Sequence, residues 1–338
     1  MQKLTSICIL VLYILIQNLS CVLSSAGDRS PFYQRCVNNC VNQNCTSDGK
    51  FTAEATDNQD AWCKLLQWSC KDECRYACMW NTVAAFQERG LQIPMFHGKW
   101  PFKRFLGIQE PASAFFSLLN LVSHTYMFLK IYFDERFSVK ETPMLKFWFI
   151  FFVICAHAWL WSIIFHSRDT PITEFMDYAC ALSMVLSLLM AAIVRILYST
   201  KVICILLIFM MLTYFADHVR YLYEGMLYGR IDYEYNMTVN VISGATGAIV
   251  WLVWALWSER RGRTYAWRVA AFTVLSGLAL LLELADFAPL LHALDAHALW
   301  HLATVPLPSL FYRLVNNFAY RNIITSSPLI GDRQAPGF

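Results

Sequence analysis

Long apolar segments separated by short polar breaks occupy most of the chain after residue 113. We predict membrane-spanning helices near 114–133, 144–165, 173–197, 201–222, 237–257, 264–284 and 293–315. Each segment is near the ~20 residues that cross about 30 Å of hydrocarbon. Helices are required because lipid offers no hydrogen-bonding partner to backbone groups. The pattern therefore predicts an all-α polytopic membrane protein with seven transmembrane helices.

The first 26 residues have the pattern of a signal peptide. Lys3 precedes an apolar run from Ile7 to Ile16, and small residues follow at Ser24, Ser25 and Ala26. The run is shorter than the roughly 20 residues of a membrane span. We therefore expect cleavage near Ala26 rather than a retained membrane anchor.

The composition agrees with a membrane protein and excludes several other classes. Charged residues are 15% of the chain, whereas they are about 25% of soluble domains. Apolar residues are 57% of the chain, above the roughly 45–50% of soluble domains. Disordered, collagen-like and coiled-coil chains are excluded by the same values. The net charge of +3 leaves no basic surface typical of nucleic-acid binding.

Residues 27–112 form a polar N-terminal domain that contains seven of the 12 cysteines. Behind a signal peptide the compartment is oxidising, so disulfides are expected, with a zinc site as the alternative. Cys63 lies outside the four-residue spacings and is expected to be the unpaired thiol. The pairing of the others is left open by the sequence. The disulfide candidates are Cys36, Cys40, Cys45, Cys70, Cys74 and Cys78.

The polar breaks predict the orientation in the membrane. The break at 258–263 contains three arginines, and by the positive-inside rule it lies in the cytosol with the breaks at 134–143 and 198–201. The N-terminal domain is then lumenal, where the Asn44 sequon can be glycosylated. A second sequon at Asn236 falls on the lumenal side but close to the bilayer. Seven spans place the tail, 317–338, in the cytosol.

Polar side chains at the lumenal ends of three spans are candidates for a functional site, because ionisable groups at membrane depth are costly. Ser162 and His166 are four residues apart in the second span and share a helix face. His297 and His301 have the same spacing at the start of the seventh span. Asp177 lies at the start of the third span. The topology therefore predicts that these residues lie at one depth.

Three imidazoles from two helices can occupy three corners of a zinc tetrahedron and leave the fourth for water. We predict that Zn²⁺ is bound by His166, His297 and His301. Asp177 is expected to accept the proton of that water and return it to the leaving group. Ser162 is expected to donate a hydrogen bond to the developing oxyanion or to orient the aspartate.

Two further carboxylates, Asp295 and Glu174, are candidates for holding a ligand imidazole in one tautomer. The alternative for the histidines is hydrogen bonding at the membrane interface, and Ser162 alternatively bonds its own i−4 carbonyl. The other histidines (His97, His124, His157, His218 and His292) are expected to be packing or membrane-interface groups.

These motifs resemble a known family. The spacing of Ser162, His166, Asp177 and the late H-x-x-x-H pair is similar to the CREST superfamily of seven-helix membrane hydrolases. The strings CRYACMW, WSIIFHSRDT, MDYACA and LLELADFAPLLHALDAHALWHLAT, with the cysteine-rich head, resemble its GPI-remodelling branch. The resemblance implies zinc held by the three histidines, with the serine and aspartate beside it.

The resemblance also implies a function. The expected activity is phospholipase A2-type hydrolysis of the sn-2 acyl ester of GPI-anchored proteins, in the lumen of the Golgi membrane or also of the endoplasmic reticulum. The expected partners are GPI-anchored proteins, their phosphatidylinositol and membrane lipids. A ceramidase-like amide hydrolase and a non-catalytic receptor or chaperone for GPI-anchored proteins are the alternatives. The sequence leaves the oligomeric state open.

Overall fold

A computed structural model describes residues 26–57, 59–134, 145–197, 199–229 and 231–313. The described chain consists of helices and connecting turns and contains no strand beyond isolated bridges. This confirms the predicted all-α class. The signal peptide, apart from Ala26, and the cytosolic tail lie outside the described residues.

The N-terminal domain contains four helices that connect through short loops. They are α1 (Pro31–Asn44), α2 (Ala53–Asp57), α3 (Ala61–Leu65) and α4 (Cys70–Glu88). The two long helices begin at strong caps: Ser30 accepts from Phe32 N with Pro31 in the first turn, and Ser69 forms a capping box with Asp72. These local signals fix where α1 and α4 start.

Three disulfides join α1 and the residue that follows it, Cys45, to α4. The bonds are Cys36–Cys78, Cys40–Cys74 and Cys45–Cys70. Each later cysteine on α1 pairs with an earlier one on α4, so the two helices run antiparallel. The six candidate cysteines are thus confirmed as disulfide-bonded, and the zinc alternative is excluded for them because bonded sulfurs cannot act as thiolate ligands.

Cys63 is the free cysteine of the described N-terminal domain, as expected. Its side chain is buried, and burial, followed by the nearby Glu73 carboxylate, raises the pKa of the thiol. A thiol with a raised pKa is a poor nucleophile. Burial and the raised pKa therefore both disfavour reaction at the Cys63 thiol.

Arg104 packs the segment after α4 against that helix. Its guanidinium lies over the rings of Trp68 and Tyr76, 3.4 and 4.1 Å from their centroids. It also pairs with the Glu73 carboxylate, and its backbone N–H donates to the Tyr76 hydroxyl at 3.1 Å. A planar cation between two aromatic faces is a role that arginine performs better than lysine.

Six described helical segments are long and apolar enough to cross a membrane, which confirms a multi-pass protein and the first six predicted spans. They are α5 (Pro111–Tyr132), α6 (Leu145–Ser167), α7 (Pro171–Leu197), α8 (Lys201–Leu227), α9 (Tyr233–Arg260) and α10 (Trp267–Glu283), the last preceded by a 3₁₀ turn (Thr264–Ala266). Several extend past the predicted ends because the helix continues through polar residues; α9, for example, begins at its Asp232 cap. Asn236 is consequently buried within α9.

The seventh predicted span is interrupted. Helix α11 (Ala296–Thr304) ends in a turn at 305–306, and helical structure resumes at 307 and continues to the last described residue, 313. Pro306 cannot donate a backbone hydrogen bond, and Val305 N bonds Leu302 O instead of the carbonyl four residues back. The apolar pattern predicted one continuous helix because periodicity does not register a proline turn.

The described chain forms two compact units. One comprises the described residues up to Ala112 with Leu282–Leu299, and the other the described residues of Ser113–Leu281 and those from Trp300 to 313. In the second unit an aromatic cluster forms the core, with Trp148, Phe151 and Trp251 packed around Phe311. Aromatic rings supply large buried contact areas that hold the helices together.

Candidate metal centre

The start of α7 is defined by two threonines. Thr170 Oγ1 accepts from Thr173 N at 3.3 Å, Thr173 Oγ1 accepts from Thr170 N at 2.8 Å, and Pro171 occupies the first helical position. Only residues 168–170 separate α6 from α7, so the end of one helix adjoins the start of the next. Asp177 lies roughly 9 Å along α7 from its first residue, at about 1.5 Å per residue, and is half-buried.

Ser162 and His166 lie on α6 and are both buried. Ser162 Oγ is 3.0 Å from Ser117 Oγ on α5, so its described partner is another helix rather than its own i−4 carbonyl. Ser162 is five residues from the end of α6, and Asp177 is six residues from the start of α7. The two residues therefore lie at similar distances from the connection between their helices.

The three predicted ligand histidines come together. The Nε2 atoms of His166 and His301 are 3.1 Å apart. His297 precedes His301 by one turn of the continuous helix α11, so both rings lie on the same face. One ring nitrogen of each of the three histidines lies within 4.8 Å of the others.

This arrangement fits a zinc ion. Two Zn–N bonds of about 2.05 Å at the tetrahedral angle place their nitrogens about 3.3 Å apart, close to the separation of the His166 and His301 nitrogens. Three neutral imidazoles with one position left open are the donor set of many catalytic zinc sites. His166 and His301 are buried, which limits exchange of a bound ion with solvent.

A carboxylate that the sequence interpretation overlooked contacts His297. Glu283, the last residue of α10, places Oε2 2.5 Å from His297 Nδ1. A carboxylate on Nδ1 directs the other ring nitrogen toward a metal and increases its basicity. Asp295, one of the predicted carboxylates, accepts from Ala298 N at 2.8 Å and so caps α11. Glu174 lies half-buried in the first turn of α7.

Helix α5 supports the ligand-bearing segment through a buried polar face that the sequence interpretation also missed. Asn120 Nδ2 donates to His301 O at 2.8 Å, and Ser123 Oγ donates to Val305 O at 2.8 Å. The interruption at 305–306 deprives both carbonyls of their usual amide donors, and α5 replaces those donors. This is how irregular helices at membrane depth remain satisfied. The signal in the sequence was the polar spacing at 113, 117, 120 and 124 within an apolar span.

The remaining histidines have other surroundings. His218 stacks on Tyr235, with ring centroids 5.5 Å apart, and the neighbouring Asp217 pairs with Arg220. His157 accepts from Trp161 Nε1 at 3.0 Å and contacts the Cys180 thiol. Within the described residues, the other grouping with metal-ligand spacing is Cys45, Cys70 and Cys74, whose sulfurs are all in disulfides.

Comparison with known proteins supports the resemblance inferred from the motifs. Residues 61–318 match the model of the Per1-like family. "Post-GPI attachment to proteins factor 3" of Drosophila melanogaster is 44% identical over 309 residues, which cover 90% of this chain and 92% of the relative. "GPI-specific phospholipase A2-like PGAP3" of Danio rerio is 41% identical (90% and 94% covered), and the Homo sapiens protein of that name is 39% identical (87% and 89% covered). No solved structure matches the chain. The match across most of the chain shows that this protein belongs to the Per1-like family.

Proposed function

We propose that this protein remodels GPI anchors by hydrolysing the sn-2 acyl ester of their phosphatidylinositol, with zinc bound by His166, His297 and His301. The observation that carries the proposal is the convergence of three imidazoles, one of which lies one helical turn from the buried Ser162. The names of the relatives, which refer to GPI attachment and to a phospholipase A2-like activity, support the choice of substrate. Water adds to the acyl carbonyl, the ester C–O bond breaks, and a fatty acid and a lyso-lipid result.

Each residue has a distinct task in this reaction. A zinc ion at the three histidines supplies Lewis acidity and makes hydroxide available near neutral pH. Asp177 accepts a proton from the attacking water and gives it to the departing glycerol oxygen. Ser162, held by Ser117, donates a hydrogen bond to the oxygen that becomes negatively charged.

The proposed site faces the lumen of the Golgi, where GPI-anchored proteins are exposed, with the endoplasmic reticulum as a second location. Residues 1–26 are the proposed signal peptide, 27–112 the lumenal domain, 113–316 the seven-helix hydrolase domain and 317–338 the cytosolic tail. A site near the lumenal surface lies near the glycerol esters of that leaflet. A lipid can then reach it laterally between helices.

Metal analysis of the purified protein tests the site. We expect about one zinc per chain, lost in His297→Ala and retained in His218→Ala, whose ring is also buried but belongs to no ligand group. A direct hydrogen bond between His166 and His301 is the competing explanation of their 3.1 Å separation. A wild-type protein without metal would support that explanation and contradict the proposed site.

Lipid analysis tests the reaction. In cells that lack the protein, the anchors should retain unsaturated sn-2 chains, and the wild-type gene should restore remodelling whereas His297→Ala should not. Accumulation of ceramide with normal anchors would instead indicate an amide hydrolase. Full restoration by the zinc-free variant would indicate a receptor or chaperone.

A further inference from the structure

The connector between α10 and α11, residues 284–295, packs on the cysteine-rich domain. Leu282–Leu299 belongs to the same compact unit as the described residues up to Ala112, although about 170 residues of sequence separate them. Glu283, the last residue of α10, directly precedes the connector, and His297 is the second residue of the helix that follows it. Contacts that fix the conformation of the connector therefore affect the positions of both Glu283 and His297.

Three contacts join the connector to the domain. Lys103 N donates to His292 O at 2.9 Å, and Trp100 Nε1 donates to Asp286 Oδ1 at 2.5 Å. The rings of Trp80 and His292 meet edge to face, with centroids 4.9 Å apart. The contacts include two hydrogen bonds from the chain that follows α4 and one aromatic contact from α4 itself.

The connector needs such support because its backbone is strained. Leu291 and His292 have φ of +54° and +58°, a left-handed conformation that is unfavourable for a residue with a Cβ. Non-glycine residues keep such angles only where their surroundings hold them. The Lys103 hydrogen bond falls on the carbonyl of His292, one of the two strained residues.

The supporting surface is itself rigid. Trp80 follows Cys78 by two residues on α4, and Cys78 is bonded to Cys36 on α1. The three disulfides therefore fix the helix from which Trp80 projects. A rigid platform allows the domain to impose one conformation on the connector.

We propose that the cysteine-rich domain is a clamp on the connector and, through it, positions Glu283 and His297 for metal binding. Trp100, Lys103 and Trp80 are positioning residues: they touch the connector rather than the reacting atoms. The part of the proposal that concerns metal rests on the proposed zinc site. The part that concerns the connector does not.

A backbone substitution provides the test. Lys103→Pro removes the N–H that His292 accepts from, whereas Lys103→Ala keeps that N–H and removes only the side chain. Trp100→Phe, which deletes the Nε1 donor and keeps an aromatic ring, is a second variant if the proline prevents folding. All variants are made in the full chain and purified in detergent.

Two measurements are made on each variant. The first is hydrogen exchange of the amides of His292, Ala293 and Leu294, which close the connector turn. Loss of one hydrogen bond should accelerate their exchange by about fivefold or more in Lys103→Pro and Trp100→Phe. The second is zinc affinity, which should fall by about tenfold in the same variants, the scale of outer-shell changes at metal sites. Lys103→Ala should match the wild type in both.

The outcomes separate the two proposals. Unchanged exchange in both Lys103→Pro and Trp100→Phe would overturn the clamp. Accelerated exchange with unaltered zinc affinity would overturn the positioning of His297. Accelerated exchange in a protein whose wild type binds no zinc would support the clamp and contradict the proposed function.

Discussion

Asn120 provides the sharpest test of how the fold holds the ligand histidines. Its side-chain amide donates to the carbonyl of His301, which lost its usual helical donor at the interruption after α11. Asn120→Leu removes that donor and keeps the same branching and number of side-chain heavy atoms. The substitution therefore removes the hydrogen bond while keeping the shape of the side chain.

The structure sets the size of the effect. The buried His301 carbonyl would retain one described donor, Thr304 Oγ1 at 2.8 Å. Because that donor remains, losing the Asn120 bond costs about 1–1.5 kcal/mol, the upper part of the net range for one hydrogen bond. Asn120 Oδ1 is buried without a described partner, so its removal offsets part of that cost. We expect a net loss of about 1 kcal/mol in stability and, because the shifted carbonyl belongs to a ligand residue, about tenfold weaker zinc binding.

Zinc affinity is measured by competition with a chelator of known affinity, and stability by thermal denaturation of the same detergent-purified sample. Ser123→Ala is the matched control. It removes an equivalent bond from α5, but to Val305, one turn beyond the ligand. We expect its stability to fall by about 1 kcal/mol while its zinc affinity stays within about twofold of the wild type.

Two results would refute this reasoning. Wild-type zinc affinity in Asn120→Leu would mean that the carbonyl bond does not position His301. An equal loss of zinc in Ser123→Ala would mean that weakened packing of the interrupted helix, rather than the ligand residue itself, controls affinity.

Three further predictions follow from the same structure. Asp177→Asn should keep zinc and folding but lower turnover by about 10²-fold or more; normal turnover in a single-turnover lipid assay would remove Asp177 from the mechanism. Asn44→Gln should abolish the glycan detected by glycosidase treatment, whereas Asn236→Gln should leave glycosylation unchanged because that side chain is buried in α9. A glycan attached to Asn236 would contradict its burial in that helix. Arg104→Lys should destabilise the N-terminal domain by about 1–2 kcal/mol, since lysine loses the planar contacts with two aromatic rings; an unchanged unfolding transition would show that these contacts contribute little.

Several features could be predicted from local patterns. The first six spans followed from apolar length because the thickness of the bilayer sets the number of residues in each helix. The six bonded cysteines followed from their compartment and spacing. The shared face of His297 and His301 followed from the 3.6-residue period of a helix, which needs no knowledge of its neighbours.

Other features depend on how separate helices are rotated and placed, which no local pattern contains. The disulfide pairing required the antiparallel alignment of α1 and α4. The contact of Glu283 with His297 required the path of the connector, which residue type alone does not reveal.

The sequence by itself determined which residues are candidates for metal binding and that six segments are long enough to cross a membrane, because side-chain chemistry and apolar length are properties of single segments. The tertiary structure decided which groups complete the candidate site: Asn120 on the His301 carbonyl, Ser117 beside Ser162 and Glu283 on His297. Those partners depend on the rotation of each helix about its axis and on the interruption near Pro306. Packing between the helices sets the rotation. Hydrogen bonds from α5 to the carbonyls that lack their usual helical donors stabilise the interruption.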